Sequence, residues 1–184
     1  MDTSRWRVET FASLDSTNTW VAEQARAGAA EGLVARTDFQ TAGRGRLDRV
    51  WHAPADTSLL CSVLLRPAVA ADALQLVVAA VALSLRDAIA TLTSSRPDLK
   101  WPNDLLFGEK KVAGILAEVV ATAAGPAVVV GFGVNCLSVD PAFTHATSIS
   151  SATGVDVNPD TFHHAIGRRN EQRLPHGHQS LEIQ

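Results

Sequence analysis

The sequence predicts an α/β (α+β) domain, a mixed, largely antiparallel sheet packed against helices. Three observations carry that expectation. Ser58–Leu65 (SLLCSVLL) is apolar almost throughout, as in a strand buried on both faces. Leu74, Val77, Val78, Val81, Leu85, Ile89 and Leu92 recur at helical spacing and define one long amphipathic helix. Short strand-like runs are joined by tight turns at Gly108-Glu109-Lys110 and Gly125-Pro126, which favour strand pairs over crossovers.

The other elements follow in order. Residues 6–14 read as a first strand. Asp15-Ser16-Thr17-Asn18 offers several helix N-caps, and residues 20–29 have the alanine-rich composition of the helix they would open. Residues 33–40 read as a second strand feeding a Gly/Arg loop over 41–49. Residues 99–101 and 105–107 are short strands flanking Pro102-Asn103-Asp104, followed by strands at 111–119 and 127–134. Asn158-Pro159-Asp160 suits a helix start. From Arg168 onward the chain is polar and aperiodic, and a disordered tail is expected.

A length of 184 residues suits one domain, and 46% hydrophobic with 19% charged residues reads as soluble and globular. The formal net charge of −3 gives no global basic field, so neither nucleic acid nor an anionic membrane is expected as a partner. The N-terminus lacks a signal-peptide core, and the apolar run at 73–85 is short and interrupted for a bilayer span. Cys61 and Cys136 have neither zinc-ligand nor disulfide-framework spacing and read as small core residues. A cytoplasmic, reducing location is the default. The six histidines form no metal-binding pattern. Gly131-Phe132-Gly133 follows a strand, but position 136 is Cys and no helix opens there, which argues against a dinucleotide fingerprint.

The chemistry concentrates in three segments. In Gln40-Thr41-Ala42-Gly43-Arg44-Gly45-Arg46, glycines let backbone approach a ligand while two guanidiniums offer forked donors for carboxylate or phosphate. Taken alone this loop is equally a solvated basic turn or a nucleic-acid contact. Lys111 opens an apolar strand with Gly114 inside it, a point charge at the mouth of an apolar slot or an ordinary strand-end lysine. Lys100-Trp101-Pro102-Asn103-Asp104 sets an aromatic plane, a turn and a carboxylate in sequence. Asp104 can orient a lysine or help hold a metal–phosphate complex, or the segment is a plain turn. Ser16, Thr17, Asn18 and Gln40 are caps, or the neutral donors and acceptors that read an uncharged polar head such as a cyclic urea.

These segments, in this order, resemble biotin protein ligases. The match comprises Ser-Thr-Asn, Gln-Thr-Ala-Gly-Arg-Gly-Arg, Lys-Trp-Pro-Asn-Asp, Lys-x-Ala-Gly-Ile-Leu-x-Glu ending at Glu118, and Gly-x-Gly-x-Asn, over about residues 14–151. The resemblance implies the class II aminoacyl-tRNA synthetase-like fold of the biotin/lipoate ligase catalytic domain. It implies two steps. Biotin carboxylate attacks the α-phosphate of MgATP to give biotinyl-5′-AMP, and a lysine of a biotin carboxyl carrier domain of an acetyl- or acyl-CoA carboxylase then takes the biotinyl group. By the same resemblance Ser16, Thr17, Asn18, Gln40, Gly43, Gly45 and Gly114 surround biotin, with Arg44, Arg46 and Lys111. The ATP side takes Arg46, Trp51, Asp104, Lys111 and Asn135, with magnesium arriving on the nucleotide and Asp104 its candidate contact. Lys111, Arg46 and Arg44 carry the catalytic roles.

The pattern is departed from in places. Asp48 stands where the family loop commonly has glycine, and its carboxylate can pair with Arg46 or Arg49. No helix-turn-helix segment precedes Trp6, so a repressor role is not expected. Residues 1–160 are expected to form the catalytic domain and 161–184 an atypical tail, with the usual small C-terminal β-barrel domain absent. A lipoate ligase of the same fold, and a remnant that binds or adenylates biotin without transfer, are the rival readings.

Overall fold

The computed structural model describes residues 6–47, 49–67 and 74–163. The expectations about Asp48 and about the tail from 164 onward fall outside the described residues. Among those described, the elements in chain order are β1 (Arg7–Phe11), α1 (Thr17–Arg26), β2 (Leu33–Thr37), β3 (Ser58–Leu65) and α2 (Leu74–Thr93). They continue with β4 (Asp98–Lys100), β5 (Asp104–Phe107), β6 (Lys110–Thr122), β7 (Gly125–Asn135) and α3 (Ile149–Thr153). The strands form one sheet in the order β1-β2-β3-β7-β6-β5-β4. Only β1 and β2 pair parallel; every other neighbour is antiparallel. The mixed, largely antiparallel sheet read from the sequence is therefore the architecture observed.

Side chains alternate across the sheet, and each face has its own core. Leu59, Cys61, Val63 and Leu65 of β3, with Val128, Val130, Phe132 and Val134 of β7, pack with Val77, Val81, Leu85 and Ile89 of α2. Leu64 and Val129 point the other way and pack with Val21, Ala22 and Ala25 of α1. By the same alternation Ser62, Gly131 and Gly133 fall on the α1 face. α2 reaches 20 residues and is long and apolar enough to cross a membrane by length and composition, beyond the run judged short from sequence. Its apolar stripe is spent on the sheet.

Several boundaries move. β1 ends at Phe11, with an isolated bridge between Leu14 and Gln40 continuing the pairing. Trp101 lies in a turn, joined by a cis peptide bond to Pro102, rather than in a strand. β6 runs on to Thr122 because β7 pairs with it along its length, down to Thr122 opposite Gly125. α3 was not legible: it is five residues long, capped by Ser148 and closed by Gly154 at φ 73°. A further helix opens at Pro159 as expected, with Asn158 Oδ1 accepting from the Asp160 N–H at 2.8 Å. It does not stop at the expected domain boundary: Phe162 is fully buried in the core on the α2 side, so packed chain extends to at least His163.

Cys61 and Cys136 are free and buried. Burial pushes both thiols up to about 12, against weaker opposing effects from Arg36 and neighbouring backbone N–H groups. Since the thiolate is the reactive species, both are expected to resist alkylation at pH 8 in the folded chain and to react once it unfolds. Mass spectrometry of iodoacetamide-treated protein, with and without urea, checks this.

Candidate active site

Two glycines clear the floor. Gly114 of β6 and Gly133 of β7 are register partners, and the Trp51 indole lies flat against the pair. A Cβ at Gly133 would come within 2.5 Å of that ring, and one at Gly114 within 3.0 Å of it. Gly131, two residues along the same face, leaves room for Asn18, whose Oδ1 a Cβ there would meet at 2.0 Å. Beyond the N-terminus of α1 the sheet thus carries no side chain at three positions, and a cavity of about 350 Å³ opens over it.

The walls come from the three segments. The basic loop folds back on itself: Gly45 N–H donates to Arg49 O at 2.7 Å, and Trp51 N–H to Gly43 O at 2.9 Å. Gly43 is needed for that approach, because a Cβ would sit 2.5 Å from Trp51 O. The tip, Leu47, adopts φ 56° and is 81% exposed. Arg46 donates to Asn103 Oδ1 at 3.2 Å, tying the loop to the Trp101–Asp104 turn. That turn is itself pinned to β6, with Ile115 N–H donating to Asn103 O and Asn103 Nδ2 to Ile115 O, both at 2.9 Å. Lys111 Nζ lies 2.7 Å from Asp104 Oδ1 and 5.5 Å from the Trp51 ring centroid, near enough to feel the ring's negative face. Arg44 pairs with Glu118 at 2.6 Å.

The polar end of the cavity has a defined hydrogen-bond polarity. Ser16, Thr17, Asn18 and Ser62 are all buried there. Gln40 Oε1 accepts from both the N–H and the hydroxyl of Thr17, at 2.8 and 3.1 Å. Its amide nitrogen is left as a donor. Asn18 Nδ2 donates to Leu116 O and Glu118 Oε2, at 3.3 and 2.7 Å, and Oδ1 accepts from Ser62 Oγ at 2.6 Å, with a second lone pair left as an acceptor. A donor and an acceptor side by side match a ligand with an adjacent carbonyl and N–H, as in a urea or amide. Lys111 and Arg46 lie by the Trp101–Asp104 turn and suit anions, while Arg44 reaches Glu118 beside Asn18.

Of the residues singled out from the sequence, Ser16, Thr17, Asn18, Gln40, Arg44 and Gly45 line this cavity. So do Arg46, Trp51, Asp104, Lys111 and Gly114. Gly43 is not in that lining and borders a second recess with Arg44, Leu116 and Glu118. Asn135 is buried outside this cavity's lining, with Nδ2 donating to Thr147 O at 3.0 Å and Oδ1 accepting from Ser58 Oγ at 3.5 Å. Ser62, Gly131 and Gly133 were missed as site residues. The signal existed: a serine within an otherwise apolar strand, and two glycines at strand alternation.

Gly131→Ala should therefore displace Asn18 and weaken binding of a urea-bearing ligand by about tenfold or more, the scale of a lost buried hydrogen-bond arrangement. Calorimetric titration with biotin, beside circular dichroism to check the fold, measures it.

A model of the biotin/lipoate A/B protein ligase family matches residues 10–135. The chain is 41% identical over 138 residues to a biotin–[acetyl-CoA-carboxylase] ligase of Mycobacterium tuberculosis, covering 72% of this chain and 50% of that protein. It is 33% identical over 151 residues to the bifunctional ligase/repressor BirA of Bacillus spizizenii, covering 79% of this chain and 46% of that one. It spans about half the length of these curated relatives. Among solved structures, biotin protein ligase from Aquifex aeolicus in complex with biotin and ATP superposes with a TM-score of 0.80 at 30% identity, covering 91% of this chain and 70% of that one. With the family model matching well over half of its length, the chain belongs to the biotin/lipoate A/B protein ligase family.

Proposed function

We propose that this chain is an ATP-dependent biotin–protein ligase, and that it makes biotinyl-5′-AMP and passes the biotinyl group to a lysine of a biotin carboxyl carrier domain. The observation that carries the reading is that Lys111, Arg46 and Arg44 line one cavity that also offers a donor–acceptor pair for a urea head. The Aquifex relative binds biotin and ATP, and the Mycobacterium relative is named for acetyl-CoA carboxylase.

In the first step a biotin carboxylate oxygen attacks the α-phosphorus. The bond from that phosphorus to the bridging β-oxygen breaks, and pyrophosphate leaves with the bond's electron pair. Two anions must be brought together and negative charge grows on the α-phosphoryl oxygens. Lys111 and Arg46, anchored by β6 and by the Asn103 contact, supply positive charge there, Lys111 by turning its ammonium from Asp104 to the ligand. Magnesium would arrive with the nucleotide, and Asp104, once Lys111 has turned to the ligand, would be the carboxylate to hold it and help neutralise the phosphates. In the second step a neutral lysine amine attacks the acyl carbon, AMP departs, and the amine loses a proton to solvent. Free, buried cysteines agree with a cytoplasmic setting.

Arg46→Ala should loosen the loop from Asn103 and release the labile anhydride to water. Adenylate captured by hydroxylamine in solution should rise several-fold per biotin activated. Retention equal to the parent would contradict this gating role. Incubation with biotin, MgATP and a purified carrier domain, followed by mass measurement of that domain, tests the reading as a whole. One added biotinyl group supports it. Adenylate without labelling marks a chain confined to the first step, and labelling by lipoate in place of biotin moves the assignment to the other branch of the family.

A further inference from the structure

We infer that Glu118 is a positioning residue for recognition of the biotin head, acting through Asn18. The inference rests on the biotin reading above.

The argument starts from what the Asn18 amide can do. Its nitrogen faces two groups that only accept, the Leu116 carbonyl at 3.3 Å and the Glu118 carboxylate at 2.7 Å. Of these the carboxylate is the nearer and the charged one, and charge-assisted hydrogen bonds are about twice as strong as neutral ones. With both amide protons committed, Oδ1 must face Gly131 and Ser62 and can only accept from the ligand. Remove Glu118 and the amide keeps one long bond from Nδ2 to Leu116 O and the Ser62 hydroxyl on Oδ1. Ser62 Oγ also lies 2.7 Å from Thr17 Oγ1, so its proton can turn there and its oxygen accept from Asn18, and a flipped Asn18 presents NH2 to a ligand N–H. Buried donors facing each other unpaired weaken binding strongly.

The same oxygen, Glu118 Oε2, also accepts from Arg44 at 2.6 Å. One carboxylate thereby joins the floor of the head-group site to the basic loop above it. Its side chain is about one-third exposed, at the edge of the cavity, where it meets both. Glu118 and Asn18 lie a hundred residues apart in sequence. Their meeting follows from the α1 face of β6, where Leu116 and Glu118 sit beside the start of α1.

Titration calorimetry with biotin alone, without nucleotide, tests the role on the full chain. Glu118→Ala should weaken biotin binding by about tenfold or more. Glu118→Gln, which keeps an acceptor oxygen for Asn18 but loses the charge, should recover most of that loss. In an Asn18→Ala background Glu118→Ala should cost less than twofold further, because the residue it acts through is gone. ATP affinity should stay within about twofold of the parent in every variant. Three results would overturn the role: Glu118→Ala binding biotin like the parent, Glu118→Gln as weak as Glu118→Ala, or full additivity with Asn18→Ala. A parent chain that binds no biotin would overturn the ligase reading and this role with it, whereas parental binding with an indifferent Glu118 overturns the role alone.

Discussion

Lys111→Ala is expected to lower biotin-dependent ATP–pyrophosphate exchange by about 10²–10³-fold, roughly 3–4 kcal/mol of barrier, the scale found when one preorganised donor is removed from a charge-developing centre. The physical reason is that Lys111 is held rather than merely present. Its backbone N–H donates to His145 O at 2.8 Å and its carbonyl accepts from Thr147 at 2.9 Å, fixing the start of the strand. Its ammonium is then confined between Asp104 and the Trp51 ring. Gly114 makes room for the lysine stem, since a Cβ there would stand 2.9 Å from Lys111 Cε and Nζ. Substitution should leave the fold intact, because the side chain is solvent-accessible in part and adds nothing to either core. Initial rates of radiolabel transfer from pyrophosphate into ATP measure the effect. Exchange within a few-fold of the parent would show that the ammonium does not act on the reacting phosphate.

Phe162→Ala is expected to destabilise the chain by roughly 3–5 kcal/mol, the cost of emptying a fully buried aromatic site. Among the described residues Phe162 is the largest side chain that is completely removed from solvent, and it belongs to the same core as α2, β3 and β7. The turn before it is fastened from both ends. Asn158 holds the helix start, and Arg36 of β2 pairs with Asp160. A urea titration should show a lower midpoint with little change in slope. A shift worth less than about 1 kcal/mol would mean that the segment after Pro159 is not part of the cooperative unit.

The sheet was readable because its strands and long helix obey simple periods. Ser58–Leu65 is buried at every position, and the apolar stripe of α2 lies where its spacing put it. What could not be read is whatever depends on partners distant in sequence. The length of β6 is set by β7, and α3 is too short to carry a period. Phe162 falls in the stretch expected as an atypical tail because one aromatic has no pattern; its burial follows from a core built a hundred residues earlier.

The site divides in the same way. Cations, amides and glycines in short runs announced themselves, and Arg44, Gly45, Arg46, Asp104 and Lys111 do meet at one cavity. Ser62, Gly131 and Gly133 act through alternation and register, so their meaning appears only when β3, β6 and β7 are laid side by side. Asn135 sits apart from them, held by the Thr147 carbonyl and Ser58, contacts that no local motif announces.

The central claim is that fixed positive charge and a urea-matched pocket in one cavity couple a carboxylic acid to a nucleotide. Isotope exchange between pyrophosphate and ATP by the parent chain, with biotin, lipoate or no acid added, tests it most directly. The account predicts exchange that requires biotin and saturates with it. Exchange indifferent to biotin, or none at saturating biotin and MgATP, would contradict it.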